Sequence, residues 1–279
     1  MSEESTYEWS HKARGALFLA AMRTTLTGDP NMIRTALITG AAGGLGRAAT
    51  TLLQSRGWRV AGTSRDASRL SDSSEDFLPI EADVSTPAGA DAALAACTEA
   101  FGAPPDALIH AVGSTLLAPL HRTDEDTYRQ TLAANLDSAF FTLRAYVQAA
   151  LKARQAGAVV LMSSVVARVG VANHEAIAVA KGGIEALVRS AAATYSPQGI
   201  RINAIAPGLT RTPATERLFS AQTAEEQIRA QYPLGRYGAA EDLAQAACWL
   251  ISEEAGWVTG QVLPVDGGFT AVRPMVRAR

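Results

Sequence analysis

The sequence predicts an α/β protein built on a doubly wound, seven-stranded parallel sheet with helices on both faces, folded as a single domain. Three observations favour this fold class. Short runs of β-branched and aliphatic residues alternate with longer Ala- and Leu-rich stretches, as they do in βαβ units. The short runs are apolar toward both faces, which is typical of strands covered by helices on each side. A glycine-rich segment at residues 40–46 joins the first strand pattern directly to the first helical pattern.

The predicted elements follow one another in a regular order. Strands are expected near residues 34–39, 58–63, 77–81, 106–111, 157–163, 200–206 and 261–265. Helices are expected at residues 44–56, 88–101, 124–133, 136–154, 174–195 and 239–252. No linker or internal repeat interrupts the alternation, so residues 33–279 are predicted to form the domain. Residues 1–32 end in the turn formers Gly28-Asp29-Pro30-Asn31 and are predicted to be an N-terminal extension, either a tail or a short helix.

The composition of the chain indicates which kind of partner and which cellular location to expect for the protein. The chain carries 25 basic and 27 acidic residues, so it has no field to hold a nucleic acid or an anionic membrane, and a small-molecule substrate is expected. No apolar run approaches the ~18 residues of a membrane span, and the short apolar stretch at 16–22 lacks a basic leader. Cys97 and Cys248 are far apart in helical patterns, which favours reduced, buried thiols, no metal site and a cytoplasmic location.

The glycine-rich segment predicts a nucleotide site. It reads Thr39-Gly40-Ala41-Ala42-Gly43-Gly44-Leu45-Gly46 and lies between a strand and a helix. Glycines permit the tight turn and a close approach of the backbone to a pyrophosphate, whose charge meets the N–H groups at the start of the following helix. A glycine-rich turn alone is also compatible with an ordinary loop. Its place between strand and helix favours a nucleotide, with Gly40, Gly44, Leu45 and Gly46 as the candidate contacts.

The pattern Thr-Gly-x-x-x-Gly-x-Gly resembles the cofactor fingerprint of the short-chain dehydrogenase/reductase family. Further motifs follow in the family's order, and the match covers about residues 33–270. The resemblance implies a Rossmann fold, hydride transfer with a nicotinamide cofactor, and a homotetramer or dimer assembled through the helices at 136–154 and 174–195. The further motifs are Asp83-Val84 at the adenine, Asn135, Pro207-Gly208-Leu209-Thr210-Arg211-Thr212 at the nicotinamide, Pro233-Leu234-Gly235-Arg236, Val258-Thr259-Gly260-Gln261 and Val265-Asp266-Gly267-Gly268.

The end of the second strand indicates which nicotinamide cofactor is bound. An acidic residue there would hold a ribose 2′-hydroxyl, whereas an arginine accommodates a 2′-phosphate. Ser64 and Arg65 occupy this place and favour NADP(H). The alternative is that Arg65 is a solvated loop residue and that Asp66 binds the ribose of NAD.

The resemblance assigns three of the family's four catalytic positions and exposes a gap at the fourth. Ser164 would polarise the substrate carbonyl, Lys181 would hold the ribose, and Asn135 would order a relay water. The family's proton-donating tyrosine belongs four residues before the lysine, where this chain has Ile177. An isoleucine cannot donate a proton, so the family's ordinary mechanism cannot operate through this position. Lys181 retains its role as a cofactor ligand, and Ser164 is also compatible with a strand-end structural role.

Two nearby residues are candidates to replace the tyrosine. His174 lies seven residues before Lys181, two helical turns away and close to the same face, and an imidazole suits proton transfer at neutral pH. The family's enoyl-thioester reductases carry their catalytic tyrosine at this spacing. Glu175 is the second candidate, although an acidic residue at a helix start is also favoured by the helix dipole. A water held by Ser164 and Asn135 is the third possible proton source.

The motif after the fourth strand departs from the family's Asn-Asn-Ala-Gly. This chain has His110-Ala111-Val112-Gly113, in which Gly113 is a candidate cofactor contact and His110 is expected to tie neighbouring strands rather than to catalyse. The leading hypothesis is an NADP(H)-dependent oxidoreductase acting on a small carbonyl or conjugated substrate with a non-standard proton donor. A lyase or isomerase of the same fold and a non-catalytic nucleotide-binding subunit are the alternatives. Residues 213–232 read as an amphipathic lid and identify no substrate.

Overall fold

The strand and helix bounds come from a computed structural model that describes residues 33–70, 74–219 and 222–273. The predicted extension at residues 1–32 lies outside the described residues. Among the helices that the structure describes, none combines the length and the apolar character needed to cross a membrane.

Seven parallel strands form the central sheet, as predicted. The order across the sheet is β3-β2-β1-β4-β5-β6-β9, so the chain reverses its direction of winding between β1 and β4. In such sheets the crevice at the point of reversal is where ligands bind. The strands are β1 (Thr35–Thr39), β2 (Arg59–Ser64), β3 (Phe77–Glu81), β4 (Ala107–His110), β5 (Gly157–Met162), β6 (Ile200–Pro207) and β9 (Val262–Val265). The predicted bounds agree with these to within one residue, and the fold class is confirmed.

Helices cover both faces of the sheet. On one face, α2, α4 and α5 pack over a core that contains Leu94, Tyr146 and Ile184. On the other face, α1 and α7 pack over a core that contains Leu53 and Leu250. The helices are α1 (Gly44–Ser55), α2 (Pro87–Phe101), α3 (Glu125–Leu132), α4 (Ser138–Ala153), α5 (Glu175–Tyr195), α6 (Gln222–Ala230) and α7 (Ala240–Ile251).

The strand sequences explain why one sheet has two cores. Side chains alternate between the faces of a strand, so a strand that is apolar throughout contributes to both. In β1, Leu37 enters the core beneath α2, α4 and α5, whereas Ala36 and Ile38 enter the core beneath α1 and α7. The cysteines follow the same division. Cys97 lies in the first core and Cys248 in the second, each buried and without a disulfide.

Three features differ from the sequence prediction. The helix expected at 136–154 begins at Ser138, because a π-helical turn at Ala133–Asp137 precedes it. A second, two-stranded parallel sheet pairs β7 (Thr210–Arg211) with β8 (Gly238–Ala239). The segment predicted to be a lid contains α6, a helix that is absent from the predicted set, and the paired strands β7 and β8 precede and follow it in the chain.

Candidate active site

The glycine-rich turn is shaped by contacts that leave no room for side chains. Gly40 has φ +72°, and a Cβ there would lie 3.0 Å from the Ala111 carbonyl. A Cβ on Gly46 would overlap the Gly40 carbonyl oxygen and lie 2.6 Å from the Ala41 Cα. The residue before α1 is Gly43, which has no side chain to cap the helix. Within the described ranges the N–H groups of Gly44, Leu45 and Gly46 have no acceptor, so the turn presents them to a ligand.

At the end of β2, Arg65 and Asp66 differ in what they contact. The Asp66 carboxylate accepts hydrogen bonds from Ser68 N at 3.0 Å and Ser68 Oγ at 2.6 Å, which lower the pKa of Asp66. Its own N–H donates to Ser64 Oγ at 3.2 Å. Arg65 is exposed, and its guanidinium makes no hydrogen bond or ion pair with any residue that the structure describes. The Asp66 carboxylate is therefore engaged by Ser68 in the local turn, whereas the Arg65 guanidinium is available to bind a ligand.

Asp83 and Val84 lie just beyond the end of β3. The Asp83 carboxylate accepts from Ser85 N at 3.0 Å and Ser85 Oγ at 2.7 Å. The Ser85 hydroxyl is the main reason that the pKa of Asp83 is lowered, and the Arg65 cation adds to it. Val84 is 3% exposed and packs into the first core. Asp83 and Val84 therefore hold the turn that follows β3, which lies beside the end of β2 and Arg65.

His110, at the end of β4, is buried and neutral. Its Nδ1 lies 2.8 Å from Thr39 Oγ1, and its Nε2 lies 3.1 Å from Ser138 Oγ. Because Ser138 Oγ donates its only proton to the Ala134 carbonyl, Nε2 must donate to Ser138 and Nδ1 must accept from Thr39. Burial, with the nearby Lys181 cation, lowers the pKa of His110 to about 3. His110 ties β1, β4 and α4 together, which agrees with the structural role expected for it.

Asn135 lies inside the π-helical turn and is 1% exposed. Its Nδ2 donates to Ser114 Oγ and to the Thr131 carbonyl, both at 3.0 Å, and its Oδ1 accepts from Ser114 N at 3.2 Å. A Cβ on Gly113 would lie 2.9 Å from Asn135 Oδ1. A side chain at 113 would therefore collide with Asn135, and we call the place where Gly113, Asn135 and Lys181 meet the niche; its loop is exposed to solvent at Gly113 and Ser114.

Lys181 projects from α5 into the same niche. Its Nζ donates to the Met162 carbonyl at 2.9 Å and lies 3.5 Å from the place that a Cβ on Gly113 would take. Lys181 makes no ion pair with a described carboxylate, and burial lowers its pKa to about 8. The structure thus brings together Gly113, Asn135 and Lys181, three residues that the sequence selects for this site.

Ser164 follows β5, two residues after Met162, whose carbonyl accepts from Lys181 Nζ. It is partly buried, and its Oγ accepts from Val166 N at 3.4 Å, which caps a short 3₁₀ turn at Val165–Ala167. The described contacts of its hydroxyl are local and include none with Asn135 or Lys181. The sequence-predicted hydroxyl is therefore at the expected strand end, with one oxygen lone pair and its proton still available.

A buried acid close to Lys181 escapes the sequence reasoning. The Glu185 carboxylate accepts one bifurcated hydrogen bond from Arg168 Nε, with both N···O distances 3.0 Å, and lies 3.2 Å from the Ser163 hydroxyl. The Ser163 hydroxyl also lies 3.3 Å from the Lys181 carbonyl. The cluster joins the segment after β5 to α5, one helical turn beyond Lys181. Its sequence signal is a glutamate four residues after Lys181 and four before Arg189, on the same face of the helix.

The Ile177 side chain is buried, whereas the His174 ring contacts a carbonyl just before the helix. Ile177 is 7% exposed, so an apolar side chain fills the place expected for the tyrosine. The helix begins at Glu175, and His174 is its N-cap with a non-helical backbone of φ −116° and ψ 18°. His174 Nδ1 lies 2.7 Å from the Ala172 carbonyl, so this nitrogen carries a proton. No described contact joins His174 to Ser164, Asn135 or Lys181, and Glu175 is exposed.

The loop that begins with Pro207 and Gly208, after β6, contacts both β9 and the glycine-rich turn. Gly208 N donates to the Val265 carbonyl at 3.1 Å, which fixes Pro207 and Gly208 against β9. Leu209 N donates to Tyr232 Oη at 2.7 Å. A Cβ on Gly44 would lie 3.0 Å from Thr212 Cβ, so this loop and the glycine-rich turn are in contact. The candidate cofactor residues from both ends of the sequence therefore meet at one edge of the sheet.

The chain is similar to proteins that are named dehydrogenases and reductases. Residues 40–270 match the family model described as enoyl-(acyl carrier protein) reductase. Over 197 residues the chain is 36% identical to inactive 2-(S)-hydroxypropyl-CoM dehydrogenase 2 of Xanthobacter autotrophicus, a match that covers 69% of this chain and 85% of that protein. Over 245 residues it is 34% identical to cis-4-hydroxycyclohexanecarboxylate dehydrogenase of Sinomonas cyclohexanicum, covering 86% and 97% of the two chains.

A solved structure gives the same result for the fold. An oxidoreductase of the short chain dehydrogenase/reductase family from Burkholderia thailandensis superposes with a TM-score of 0.79 at 32% sequence identity. The superposition covers 87% of this chain and 94% of that one.

Proposed function

This chain belongs to the short-chain dehydrogenase/reductase family, and on that premise we propose that it is an NADP(H)-dependent oxidoreductase. Its proposed substrate is a small carbonyl compound or a conjugated one, and its proton donor is not a tyrosine. The observation that carries the proposal is the niche between Asn135, Gly113 and Lys181, which holds a buried ammonium without a carboxylate partner. A buried charge with spare donors suits the hydroxyls of a ligand, because an unpaired buried cation is costly on its own.

The proposed cofactor is NADP(H). Gly40, Gly44, Leu45 and Gly46 would hold its pyrophosphate through free N–H groups in a turn that a Cβ would fill. Arg65, with Ser64, would bind the 2′-phosphate, since its guanidinium is exposed and unengaged while Asp66 is occupied by Ser68. The remaining proposed contacts are Asp83 and Val84 at the adenine, Gly113 and Lys181 at the ribose, and Pro207, Gly208 and Thr212 at the nicotinamide.

When bound, NADPH supplies a hydride, and the chain must orient the acceptor and provide a proton. We assign Ser164 to hold the substrate oxygen, Asn135 to order water beside Ser114, and Lys181 to fix the ribose. Ile177 removes the phenol that would otherwise give the proton. His174 and a water held by Ser164 and Asn135 are the donors proposed from the sequence. A conjugated substrate reduces the demand on any of them, because its enolate can take a proton from solvent.

The test is turnover of NADPH by the purified protein. We expect oxidation, followed at the nicotinamide absorbance, with at least one member of a panel of small ketones, enones and imines. The matched control is Ser164→Ala, which should lower turnover while NADPH still binds by calorimetry. Failure of the unmodified protein to turn over any panel member would contradict the proposal.

One observation favours a second candidate, a nucleotide-binding protein without catalysis. Ile177 removes the acid, and one relative carries the word inactive in its name. This candidate requires that NADPH bind tightly and that no substrate be reduced. The same titration and panel therefore separate the two candidates.

We also propose a homotetramer or dimer, with α4 and α5 contributing an interface. Phe140 on α4 is 50% exposed and Val179 on α5 is 53% exposed, a cost in water that burial against a second copy would remove. Light scattering at micromolar concentration should give a multiple of the chain mass, and a monomer would contradict the proposal. The cytoplasmic location stays a prediction.

A further inference from the structure

We propose that Glu185 is a positioning residue for the reduction: its carboxylate holds the turn that carries Ser164 and so sets the Ser164 hydroxyl relative to Lys181. The inference rests on the proposed function and adds to it a residue that acts through its neighbours. Three structural observations lead to it. They are the two ends of the turn that the carboxylate contacts, the bond from the same helix to the strand before the turn, and the burial of the acid.

The Glu185 carboxylate contacts both ends of the turn that contains Ser164. At the start of the turn, Ser163 Oγ lies 3.2 Å from Glu185 Oε1. At its end, Arg168 Nε lies 3.0 Å from each of the two Glu185 oxygens. Between these contacts Ser164 is the N-cap of the 3₁₀ turn at Val165–Ala167. One acidic side chain on α5 therefore fixes the residue before Ser164 and the residue that follows the turn.

The helix that carries Glu185 is also bonded to the end of β5 through Lys181. Lys181 Nζ donates to the Met162 carbonyl at 2.9 Å, and the Lys181 carbonyl lies 3.3 Å from Ser163 Oγ. Glu185 lies one helical turn further along the same face of α5. Two side chains four positions apart on one helix thus hold the chain on both sides of Ser164. We infer that this helix sets the distance between the Ser164 hydroxyl and the Lys181 amine.

The Glu185 carboxylate is buried at a point where an apolar side chain would pack at less cost. Its side chain is 9% exposed, whereas Arg168 and Arg189, the cations within 4.0 Å of it, are exposed. Replacing a buried ion pair by apolar residues of similar volume is often neutral or stabilising. An apolar residue would pack at 185 but could not bond Ser163 or Arg168. Packing alone therefore does not require an acid here, whereas holding the turn does.

The experiment combines Glu185→Gln with Ser164→Ala in a double-mutant cycle. Glutamine keeps the volume of the side chain and loses its charge, so the bond from Arg168 weakens. We expect Glu185→Gln to lower kcat by about 10- to 100-fold, the cost of a displacement of about 1 Å at a reacting group, while NADPH binding measured by calorimetry is kept. In the Ser164→Ala background the same change should lower kcat by no more than about twofold, because the hydroxyl that it positions is absent.

The matched control is Glu125→Gln, which makes the same substitution in an exposed ion pair with Arg129 on α3 and should leave kcat unchanged. An unchanged kcat in Glu185→Gln overturns the inference. So does a fall by the same factor with and without the Ser164 hydroxyl, because that result shows a general effect on the fold. If Glu185→Gln does not fold by circular dichroism, Arg168→Gln, at the exposed end of the pair, takes its place in the cycle.

Amide hydrogen exchange separates failure of the inference from failure of the proposed function. Val166 N donates to Ser164 Oγ at 3.4 Å, and Ala167 N donates to the Ser164 carbonyl at 3.1 Å. Both amides should exchange at least about 10-fold faster in Glu185→Gln and at the normal rate in Glu125→Gln, because only the first variant loosens the turn. Unchanged exchange in a protein that turns over NADPH overturns the inference alone. An unmodified protein that binds NADPH and reduces nothing overturns the proposed function and the inference with it.

Discussion

The two halves of the sheet differ in how completely they retain the residues of the family's motifs. In the half formed by β1, β2 and β3, which holds the proposed nucleotide site, the glycine-rich turn leaves no room for side chains at Gly40 and Gly46, and Arg65 is exposed. In the half formed by β4, β5 and β6, the niche around Asn135 and Lys181 is built, but the phenol is replaced by Ile177. The proposed nucleotide half depends on backbone shape, which tolerates no side chain at Gly40 or Gly46. The proposed catalytic half depends on the chemistry of single atoms, so we expect one substitution to change its reaction.

This contrast also shows why the catalytic half keeps its geometry without its tyrosine. Asn135 is held by Ser114 and Thr131, and Lys181 by the Met162 carbonyl. None of these contacts involves the side chain at 177. The niche is therefore stable independently of the missing acid, and the two halves can be perturbed separately.

The largest effect is expected in the nucleotide half, from Gly46→Ala. The added Cβ would overlap the Gly40 carbonyl and crowd the Ala41 backbone, so the turn must shift. We expect NADPH affinity to fall by at least about 100-fold, or about 2.8 kcal/mol, and the free energy of unfolding to fall by about 1–3 kcal/mol. Calorimetric titration and urea unfolding measure the two effects.

Gly182→Ala is the matched control. It lies in α5, where a Cβ meets nothing within 4 Å. Alanine favours a helix over glycine by up to about 1 kcal/mol, so this variant should be as stable as the unmodified chain or more stable. Equal NADPH affinity of Gly46→Ala and Gly182→Ala would mean that the turn does not hold the cofactor.

The next effect concerns cofactor choice. Arg65→Asp should weaken NADPH binding by about 10- to 100-fold, since hydrogen bonds to a charged group contribute about 1.5–3 kcal/mol, and should narrow or reverse the preference over NADH. Arg129→Asp, on the exposed face of α3, makes the same change in net charge away from the cleft and should leave the preference intact. Equal affinities for NADPH and NADH in the unmodified protein would refute the NADP(H) assignment.

The smallest expected effect is the loss of stability on acidification due to His110, at the end of β4, where the two halves of the sheet meet. The folded-state pKa of about 3 lies below the value of about 6.5 for an unfolded histidine. The unfolded chain therefore binds the proton first, and stability is complete above pH 6.5 and is lost as pH falls from there toward 3. Between pH 7 and pH 5 the loss from this group should be about 2 kcal/mol.

His110→Asn should remove that pH dependence, because an amide does not titrate. His121→Asn, at an exposed site, serves as its control and should keep the dependence. Urea unfolding at the two pH values decides the matter. A His110→Asn variant that loses as much stability on acidification as the unmodified protein would show that His110 is not the group responsible.

Much of the fold can be predicted from the sequence because local pattern and tertiary structure agree. The strands are apolar toward both faces, as in β1, and Gly40 needs the positive φ that the turn imposes. The π-helical turn at Asn135 was not predicted, because its cause lies in tertiary contacts with Ser114 and Gly113. The same limit applies to the pairing of β7 with β8.

The candidate site also contains some features that the sequence can predict and others that it cannot. The family resemblance selects Asn135 and Lys181, and the structure places both beside Gly113. Spacing alone also places His174 on the Lys181 face, yet the helix begins one residue later and the ring turns to the Ala172 carbonyl. Competition between a helix start and a local carbonyl is not visible in the sequence. The pair of Arg168 with the buried Glu185 is not visible in the sequence for a similar reason, since its two members are 17 positions apart.

The anchoring of the segment between Thr212 and Tyr232 bears on how this protein can diversify. At one end β7 pairs with β8, and at the other the Tyr232 hydroxyl accepts the Leu209 N–H while its ring packs on Phe269 at 5.3 Å between centroids. The Tyr232 anchor involves no described side chain of α6, whereas Glu225 of α6 accepts from Tyr237 Oη at 3.0 Å and lies 3.9 Å from Arg211 of β7. Substitutions at Glu225 are therefore expected to loosen the β7–β8 end of the segment and to leave its Tyr232 end in place, so that protein engineering can alter the two ends separately.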